Sequence, residues 1–359
     1  MTTRISLLRL LKCARLGLAG LLALCGTAAF AQWNFSTCAA TGADGPDQAA
    51  CNTAYGSTNL AGNVSVAAGI QSWTVPTTGT YRITAVGGRG AAGDEGREGG
   101  RGAELSGDFT LTAGATLRIA VGQQGQRGSY VGGGDGSGGG GGGSFVVNSA
   151  NSPLLVAGGG GGARHDADQN GCDASLTAYG IEGSGYSETS PCTVRTNRLG
   201  EGGLMSEDSY GAGGAGFTSN GQDDLTTDDG TYFWGTGGRS WANGLGGGQP
   251  VFDPEECGAG ATGGFGGGGS GNGCDGGGGG GGYSGGDGGW IAGGGGSYNT
   301  GANPADALLT GTGDGRVVIT LLSAAPVASP TAVPTTSSAA LVALALLLGV
   351  AGLRRARRR

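Results

Sequence analysis

Alternation of apolar and polar residues marks several short segments in the body of this chain and predicts β-strands. The segments are residues 72–76, 81–86, 104–111, 116–121 and 315–321. Turn-forming residues such as glycine, proline and threonine separate them, a pattern typical of an antiparallel sandwich. The third and fourth segments predict a hairpin around Ala113 and Gly114. The last segment is expected to return and pair near the first, which would close residues 71–322 into one domain.

Between the strands, this alternation gives way to solid runs of glycine, such as those at residues 138–143, 158–162, 266–269 and 276–282. Glycine accounts for 88 of 359 residues, a share typical of disordered chains. Disordered chains, however, lack strands, cysteines and a hydrophobic share of 37%. Glycine loses the most entropy on ordering, so backbone hydrogen bonds between neighbouring runs must offset that loss. The runs predict an inserted bundle of polyglycine-II helices.

Four aromatic residues interrupt these runs: Phe265, Tyr283, Trp290 and Tyr298. We interpret them as caps at the edges of the bundle, and the alternative is that they stack on a sugar or another ligand. A second aromatic group, residues 232–234 with Trp241, has two similar interpretations. It either packs against the bundle or presents an adhesive surface.

The N-terminus predicts a secretory signal peptide over residues 1–31. Four basic residues lie in its first part, residues 16–24 are apolar, and Ala29-Phe30-Ala31 is a small-x-small cleavage site before Gln32. Cleavage between Ala31 and Gln32 would leave residues 32–70 as a cysteine-containing N-terminal segment of the exported protein.

The C-terminus carries a second predicted signal. Residues 323–338 form a linker rich in Pro, Ser and Thr, and residues 339–359 form an apolar helix with an arginine tail. This pattern predicts a single transmembrane helix that anchors the protein transiently in an inner membrane, with the body outside. The apolar stretch is short compared with the roughly 20 residues of a full span.

The same tail resembles the tripartite protein-sorting signals of Gram-negative bacteria, of the Ile-Pro-Thr-Leu type. The resemblance rests on the motif Val333-Pro334-Thr335, on the helix and on the arginines that begin with Arg354 and Arg355. It departs from that type at Thr336. The resemblance implies a processing protease as a partner and delivery to the cell envelope, the cell surface or the medium.

The charge distribution limits the choice of partners. All 27 acidic residues lie in the body, whereas nine of the 20 basic residues lie in the two terminal signals. The body therefore has 11 basic and 27 acidic residues, a net charge of −16. This excludes nucleic acids and anionic lipids as favoured partners, because both select basic surfaces. It permits cations, basic proteins or an unknown extracellular protein or glycan.

Six cysteines remain after the signal peptide: Cys38, Cys51, Cys172, Cys192, Cys257 and Cys274. An even number in an exported protein predicts disulfides, and six cysteines allow 15 connectivities. Closeness in sequence favours the pairs Cys38–Cys51, Cys172–Cys192 and Cys257–Cys274. No Cys-x-x-Cys motif occurs, so the sequence does not predict a zinc or redox site.

The glycine segments with their flanking strands resemble the glycine-rich extracellular domain of the anaplastic lymphoma kinase and leukocyte tyrosine kinase receptors. The resemblance rests on residues 257–286, 139–147 and 154–161 and extends over about residues 80–322. It implies a tumour-necrosis-factor-like or jelly-roll sandwich with a polyglycine-II bundle, and binding of cytokine-like ligands at a cell surface. In the family, a cysteine pair brackets the Gly-Gly-Phe run, which implies the pair Cys257–Cys274 here.

The resemblance does not extend to a kinase. A kinase needs a strand lysine, a His-Arg-Asp loop and an Asp-Phe-Gly motif. The body of this chain has no lysine and a single histidine, His165. Copies of Gly-x-Gly-x-x-Gly are expected by chance at this glycine density, and none lies in a βαβ pattern, so no nucleotide cofactor is predicted.

Few residues remain as candidates for chemistry. His165 could serve as a general base, but no nucleophile is evident beside it, and a solvated loop is the alternative. The carboxylates of Asp223, Asp224, Asp228 and Asp229 could hold calcium, although they lack the spacing of an EF-hand. The alternative is a hydrated loop. No metal or other cofactor is predicted.

The sequence as a whole predicts an exported, envelope-associated, non-enzymatic protein that displays a glycine-rich module for adhesion or ligand recognition. A structural or matrix protein is the main alternative. An envelope hydrolase that depends on His165 is the third.

Overall fold

The computed structural model describes residues 31–94, 96–129, 135–165, 169–185, 192–206, 210–225, 234–251, 258–273, 276–311, 313–326 and 338–357. Apart from Ala31, the predicted signal peptide lies outside these residues. The motif residues Val333, Pro334 and Thr335 lie outside them too.

The structure is mainly β. In the first part of the chain the elements are β1 (Gln32–Phe35), α1 (Gln48–Tyr55), β2 (Val64–Ala67), β3 (Ile70–Thr74), β4 (Gly79–Val86), β5 (Ala103–Leu111), β6 (Thr116–Ala120), β7 (Arg127–Ser129), β8 (Asp135–Gly138), β9 (Ser144–Asn148) and β10 (Pro153–Ala157). Further along the chain they are a 3-10 helix (Trp241–Asn243), β11 (Tyr298–Asn299), β12 (Ala302–Leu308), β13 (Arg316–Ala324) and α2 (Ser338–Ala356).

Two antiparallel sheets form the sandwich. The five-stranded sheet has the order β1-β13-β4-β5-β12, and the six-stranded sheet has the order β11-β10-β9-β6-β3-β2. β7 and β8 form a small separate ribbon. The last strand of the body, β13, pairs with both β4 and β1. Residues 32–70 thus supply β1, α1, β2 and the first residue of β3 to the sandwich.

An aromatic core lies between the two sheets. The ring centroids of Trp33 and Trp73 lie 5.0 Å apart, and Phe35 meets Trp73 edge-on at 6.0 Å. Tyr81 is fully buried, and its hydroxyl donates to the carbonyl oxygen of Thr77 at 2.6 Å. Buried and half-buried residues alternate along β4 and β5, so the period-two pattern of the sequence places one face of this sheet in the core.

The predicted hairpin between residues 104–111 and 116–121 is wrong. β5 pairs with β4 and β12, whereas β6 belongs to the other sheet and pairs with β3 and β9. Leu111 and Leu117 are both buried in the same core, so the two strands face each other across it and cannot share a ladder. The connection around Gly114 (φ +83°) carries the chain from one sheet to the other.

The predicted transmembrane helix is also wrong. Among the helices of the described residues, none has the length and apolar content that a membrane crossing requires. α2 has 19 residues, and its last turn carries Arg354 and Arg355, which leaves fewer uncharged residues than the roughly 20 of a span. The predicted anchoring in an inner membrane is overturned with it.

The glycine runs are ordered as extended segments that bond to one another through the backbone. Each amide of residues 138–143 donates to a carbonyl of another segment at 2.7–2.9 Å. In order, the acceptors are Ala163, Gln126, Gly269, Gly160, Gln123 and Gly266. The same three neighbouring segments therefore recur every third residue. A β-carbon on Gly140 would overlap the carbonyl group of Gly279, so side chains are excluded from this packing.

Candidate recognition site

The glycine-rich region, defined here as residues 158–297 between β10 and β11, packs on the outer face of the six-stranded sheet through aromatic side chains. Phe145 of β9 lies 5.8 Å from Trp241, which stacks on Phe217 at 5.9 Å. The row continues to Tyr283 and then to Tyr298, whose rings stack at 4.3 Å. Because these rings lie against one another, the faces that a sugar would stack on are largely covered. Their position is that of packing residues.

Two arginines extend this aromatic packing. The guanidinium of Arg118, on β6, lies 4.9 Å from the ring centroid of Trp241. In the interior of the glycine-rich region, Arg164 lies 3.7 Å from the ring centroid of Trp290. Phe265 is 1% exposed and joins the same cluster as Phe145 and Trp241. The aromatic residues that interrupt the glycine runs are thus buried or half-buried.

We expect Trp241→Ala to lower the free energy of unfolding by about 3 kcal/mol, because truncating a buried aromatic ring leaves a cavity. Urea unfolding followed by circular dichroism would measure this loss. Leu225→Ala is the control, since Leu225 is 53% exposed in the same region and should change stability by no more than about 0.5 kcal/mol. Equal stabilities of the two variants would contradict the docking role of Trp241.

A groove of about 700 Å³ opens where the glycine-rich region meets the segment that leads into β5. Its floor contains the buried side chains of Cys172 and Ile181, and its rim contains Leu176 and Val194, each 40% exposed. A concave surface that combines apolar walls with a few polar groups is the usual form of a binding site.

Backbone contacts fix the shape of this groove. The amide of Gly171 donates to the carbonyl of Glu98 at 3.0 Å, and the amide of Ala174 donates to the carbonyl of Arg101 at 2.8 Å. The disulfide between Cys172 and Cys192 joins this same segment to a third segment that lines the groove. The groove is therefore held by both backbone hydrogen bonds and a covalent cross-link.

Charged pairs line the groove beside the apolar residues. Arg101 contacts Asp173 at 2.6 Å, and Arg89 contacts Glu98. The hydrogen bond that the Arg101 guanidinium donates to the carboxylate of Asp173 raises the pKa of Arg101. Glu98 is the most exposed member of these pairs, with 59% of its side chain accessible. The groove thus offers both charge signs to a ligand.

The glycine-rich region also holds the exposed large hydrophobic residues among those described in the body, and most of the net negative charge of the body. Outside α2, the exposed large hydrophobic residues of the described part are Leu176, Val194, Leu199, Leu204, Leu225 and Val251. By sequence, residues 158–297 contain 17 acidic and 4 basic residues, a net charge of −13 out of the body's −16. The rest of the body contributes a net charge of only −3 and, among its described residues outside α2, no exposed large hydrophobic residue.

A buried ion pair crosses the interior of this region. Arg195 and Asp287 contact at 2.6 Å with side chains only 4% and 10% exposed. Asp287 also accepts the amide of Leu204 at 2.7 Å. Burial raises the pKa of Asp287 and lowers the pKa of Arg195. Both shifts favour the neutral forms, so desolvation outweighs the mutual attraction of the pair.

The acidic residues proposed for calcium have a structural role where they are described. Asp223 accepts the amide of Gly237 at 2.9 Å, and the buried Asp224 accepts the amide of Gly211 at 2.6 Å. Asp228 and Asp229 lie outside the described residues. The part of the chain that the structure describes contains no group of three or more His, Cys, Asp or Glu residues that could hold a metal ion.

The other predicted site residues are placed apart from the groove. His165 lies near Asp94, with 3.9 Å between Nδ1 and the carboxylate, and neither residue lines the groove. Disulfides join Cys38 to Cys51 and Cys172 to Cys192, two of the pairs that closeness in sequence favours. Cys257 and Cys274 lie outside the described residues.

Sequence reasoning missed the groove and the buried ion pair. Leu176 and Val194 follow Cys172 and Cys192 by four and two residues, and apolar residues so near a predicted disulfide are a signal that could have located the groove. The ion pair joins residues 92 apart in sequence, and nothing in the local pattern indicates such a contact.

Comparison with known proteins agrees with part of this picture. No family model matches the chain. The leukocyte tyrosine kinase receptor of Mus musculus is 42% identical over 101 residues, which cover 26% of this chain and 11% of the receptor. The chain thus spans about a tenth of the receptor it matches. The match supports a domain like the extracellular part of such receptors.

The fold, the groove and this partial similarity fit a non-catalytic surface recognition module. They lend no support to a kinase function. The disulfides fit an exported protein, because such bonds persist in oxidising compartments.

Proposed function

We propose that this protein is an exported adhesion or recognition module that binds an extracellular partner at the groove of the glycine-rich region. One observation carries the proposal: among the residues that the structure describes, the exposed large hydrophobic side chains outside α2 lie in this region, and Leu176 and Val194 share the groove. Exposed apolar residues set among polar ones are typical of interaction sites.

The rigid support for this site is a polyglycine-II bundle in our proposal. The three-residue period of the backbone hydrogen bonds in residues 138–143 supports it, since a polyglycine-II helix has about three residues per turn. A frame without side chains cannot repack when a ligand binds. It would hold the groove in one shape and lower the entropic cost of binding.

The charge of the region favours a basic extracellular protein as the partner. A net charge of −13 over residues 158–297 attracts cationic surfaces and raises their association rate at low salt. A neutral glycan is the second partner to test. Purely passive coating or polymerisation, without saturable binding, would favour a structural or matrix role instead.

The role of the groove in binding can be tested with substitutions that leave its charge unchanged. We expect the double variant Leu176→Ser, Val194→Ser to bind a cationic protein from an immobilised panel at least about tenfold more weakly than wild type, because truncated apolar anchors cost more than about 1.4 kcal/mol. Binding would be measured by surface plasmon resonance against cationic proteins and neutral oligosaccharides.

Leu225→Ser is the matched control, since Leu225 is exposed in the same region but does not line the groove. It should bind as wild type does. Equal binding by the groove variant and wild type would place the contact elsewhere, and an absence of saturable binding would remove the recognition function itself.

The C-terminal tail is proposed as an address for a processing protease, without a role as a membrane anchor. The layout of the Pro-containing motif at residues 333–335 and the arginines that begin at Arg354 supports this. Mass spectrometry of the exported protein would detect removal of the tail. Retention of the tail in the mature protein would count against it.

A further inference from the structure

Four Asn-Gly dipeptides occur in the glycine-rich region: Asn170-Gly171, Asn220-Gly221, Asn243-Gly244 and Asn272-Gly273. Asn-Gly is the dipeptide most prone to spontaneous deamidation, because glycine leaves its own amide nitrogen accessible to the asparagine side chain. That nitrogen must leave its hydrogen-bond acceptor and reach the side-chain carbonyl carbon. The backbone contacts of each glycine therefore decide which site can react.

Three of these glycines have their amides held in hydrogen bonds of ordinary length to other segments. Gly171 donates to the carbonyl of Glu98 at 3.0 Å, and Gly221 donates to the carbonyl of Gly238 at 2.9 Å. Gly273 donates to the hydroxyl of Ser137 at 2.9 Å, and the preceding Asn272 is 2% exposed. At each of these sites, reaction requires separation of packed segments.

The fourth site lies in an exposed turn. Asn243 ends the 3-10 helix, and its side chain is accessible to solvent. The amide of Gly244 makes a local contact with the carbonyl of Trp241, and at 3.4 Å this contact is longer than an ordinary hydrogen bond. Gly244 is in the left-handed region (φ +88°) and has open space around it.

We propose that Asn243 is a self-modification site at which this module converts its own backbone. The amide nitrogen of Gly244 loses its proton and attacks the side-chain carbonyl carbon of Asn243, and the side-chain nitrogen leaves as ammonia. Water then opens the resulting succinimide ring to give aspartate or isoaspartate. The reaction needs no oxidant, metal or enzyme.

The modification acts on the contact between the glycine-rich region and the sheet. The Asn243 amide nitrogen donates to the side-chain oxygen of Asn220 at 2.8 Å and to the hydroxyl of Ser240 at 3.2 Å. A carboxylate cannot donate to Asn220. Loss of that bond loosens the turn that carries Trp241, whose ring packs on the sheet residue Phe145. Deamidation would thus slowly and irreversibly weaken the packing of the glycine-rich region on the six-stranded sheet.

The test is prolonged incubation of the folded, full-length exported protein in mildly alkaline buffer, followed by peptide mass spectrometry at all four sites. We expect Asn243 to deamidate at least about fivefold faster than each of the others, because at each of those the glycine amide must break a well-formed hydrogen bond to another segment. In concentrated urea the four rates should become similar, since the difference arises from the fold.

Two variants complete the design. Gly244→Ala should slow the reaction at Asn243 and leave the other three sites unchanged, because the added methyl group hinders attack. Asn243→Gln should abolish it. Reaction at any of the other three sites as fast as at Asn243 in the folded protein would overturn the proposal. So would a difference between the sites that persists in urea.

Discussion

Replacing Gly140 by alanine is expected to cost more than about 3 kcal/mol of folding stability and to prevent formation of the glycine-rich region. The added β-carbon would overlap the carbonyl of Gly279, and the amide of Gly140 is bonded to the carbonyl of Gly269 at 2.9 Å. Overpacking a side-chain core typically costs about 1–3 kcal/mol because rotamers adjust. At Gly140 the new methyl group would instead meet the backbone carbonyl of Gly279, which has no rotamer to change.

Gly311→Ala is the matched control for this substitution. A β-carbon at Gly311 meets nothing within 4 Å, and its φ lies outside the left-handed region. Its stability should change by no more than about 0.5 kcal/mol. Thermal unfolding and limited proteolysis would measure both variants. A Gly140→Ala protein as stable and protease-resistant as the control would show that the segments are not packed backbone to backbone.

The second large effect is expected at the buried ion pair. Asp287→Ala leaves the charge of Arg195 in the interior without its partner, and such a loss typically costs about 3–5 kcal/mol. Asp287→Asn should cost less, because the amide oxygen can still accept the amide of Leu204. Urea unfolding of the two variants would give the difference.

Replacing both members of the pair should be far less harmful than replacing one. In Arg195→Met, Asp287→Leu no charge remains to be desolvated, and such replacements are often neutral or stabilising. This agrees with the pKa shifts of both residues toward their neutral forms. If the double variant were less stable than Asp287→Ala, the pair would contribute attraction beyond its desolvation cost.

The strands could be predicted from sequence because, along a strand with one buried face, apolar and polar residues alternate. The segments 81–86 and 104–111 correspond to β4 and β5, whose residues alternate between buried and half-buried. Their partners were harder to predict. The four residues between β5 and β6 are few enough for a hairpin, yet they cross between sheets because Leu111 and Leu117 enter one core from opposite sides.

The candidate site could be predicted only in part. Closeness in sequence indicated the pair Cys172–Cys192 at the groove, but the groove also needs Glu98 and Arg101, more than 70 residues earlier. Glycine runs carry no side-chain pattern from which to read which run lies beside which. Their neighbours are set by backbone hydrogen bonds between distant segments, such as Gly160 to Gly88, and no periodicity in the sequence encodes them.

The two parts of this molecule bury different kinds of surface, and this gives them different responses to temperature. The sandwich buries aromatic and aliphatic side chains such as Trp73 and Ile83, and exposing them on unfolding raises the heat capacity. The packed glycine segments bury peptide groups, whose exposure lowers it. The packed glycine segments therefore contribute less to the heat capacity of unfolding than the sandwich does, and cooling weakens their contribution to stability less.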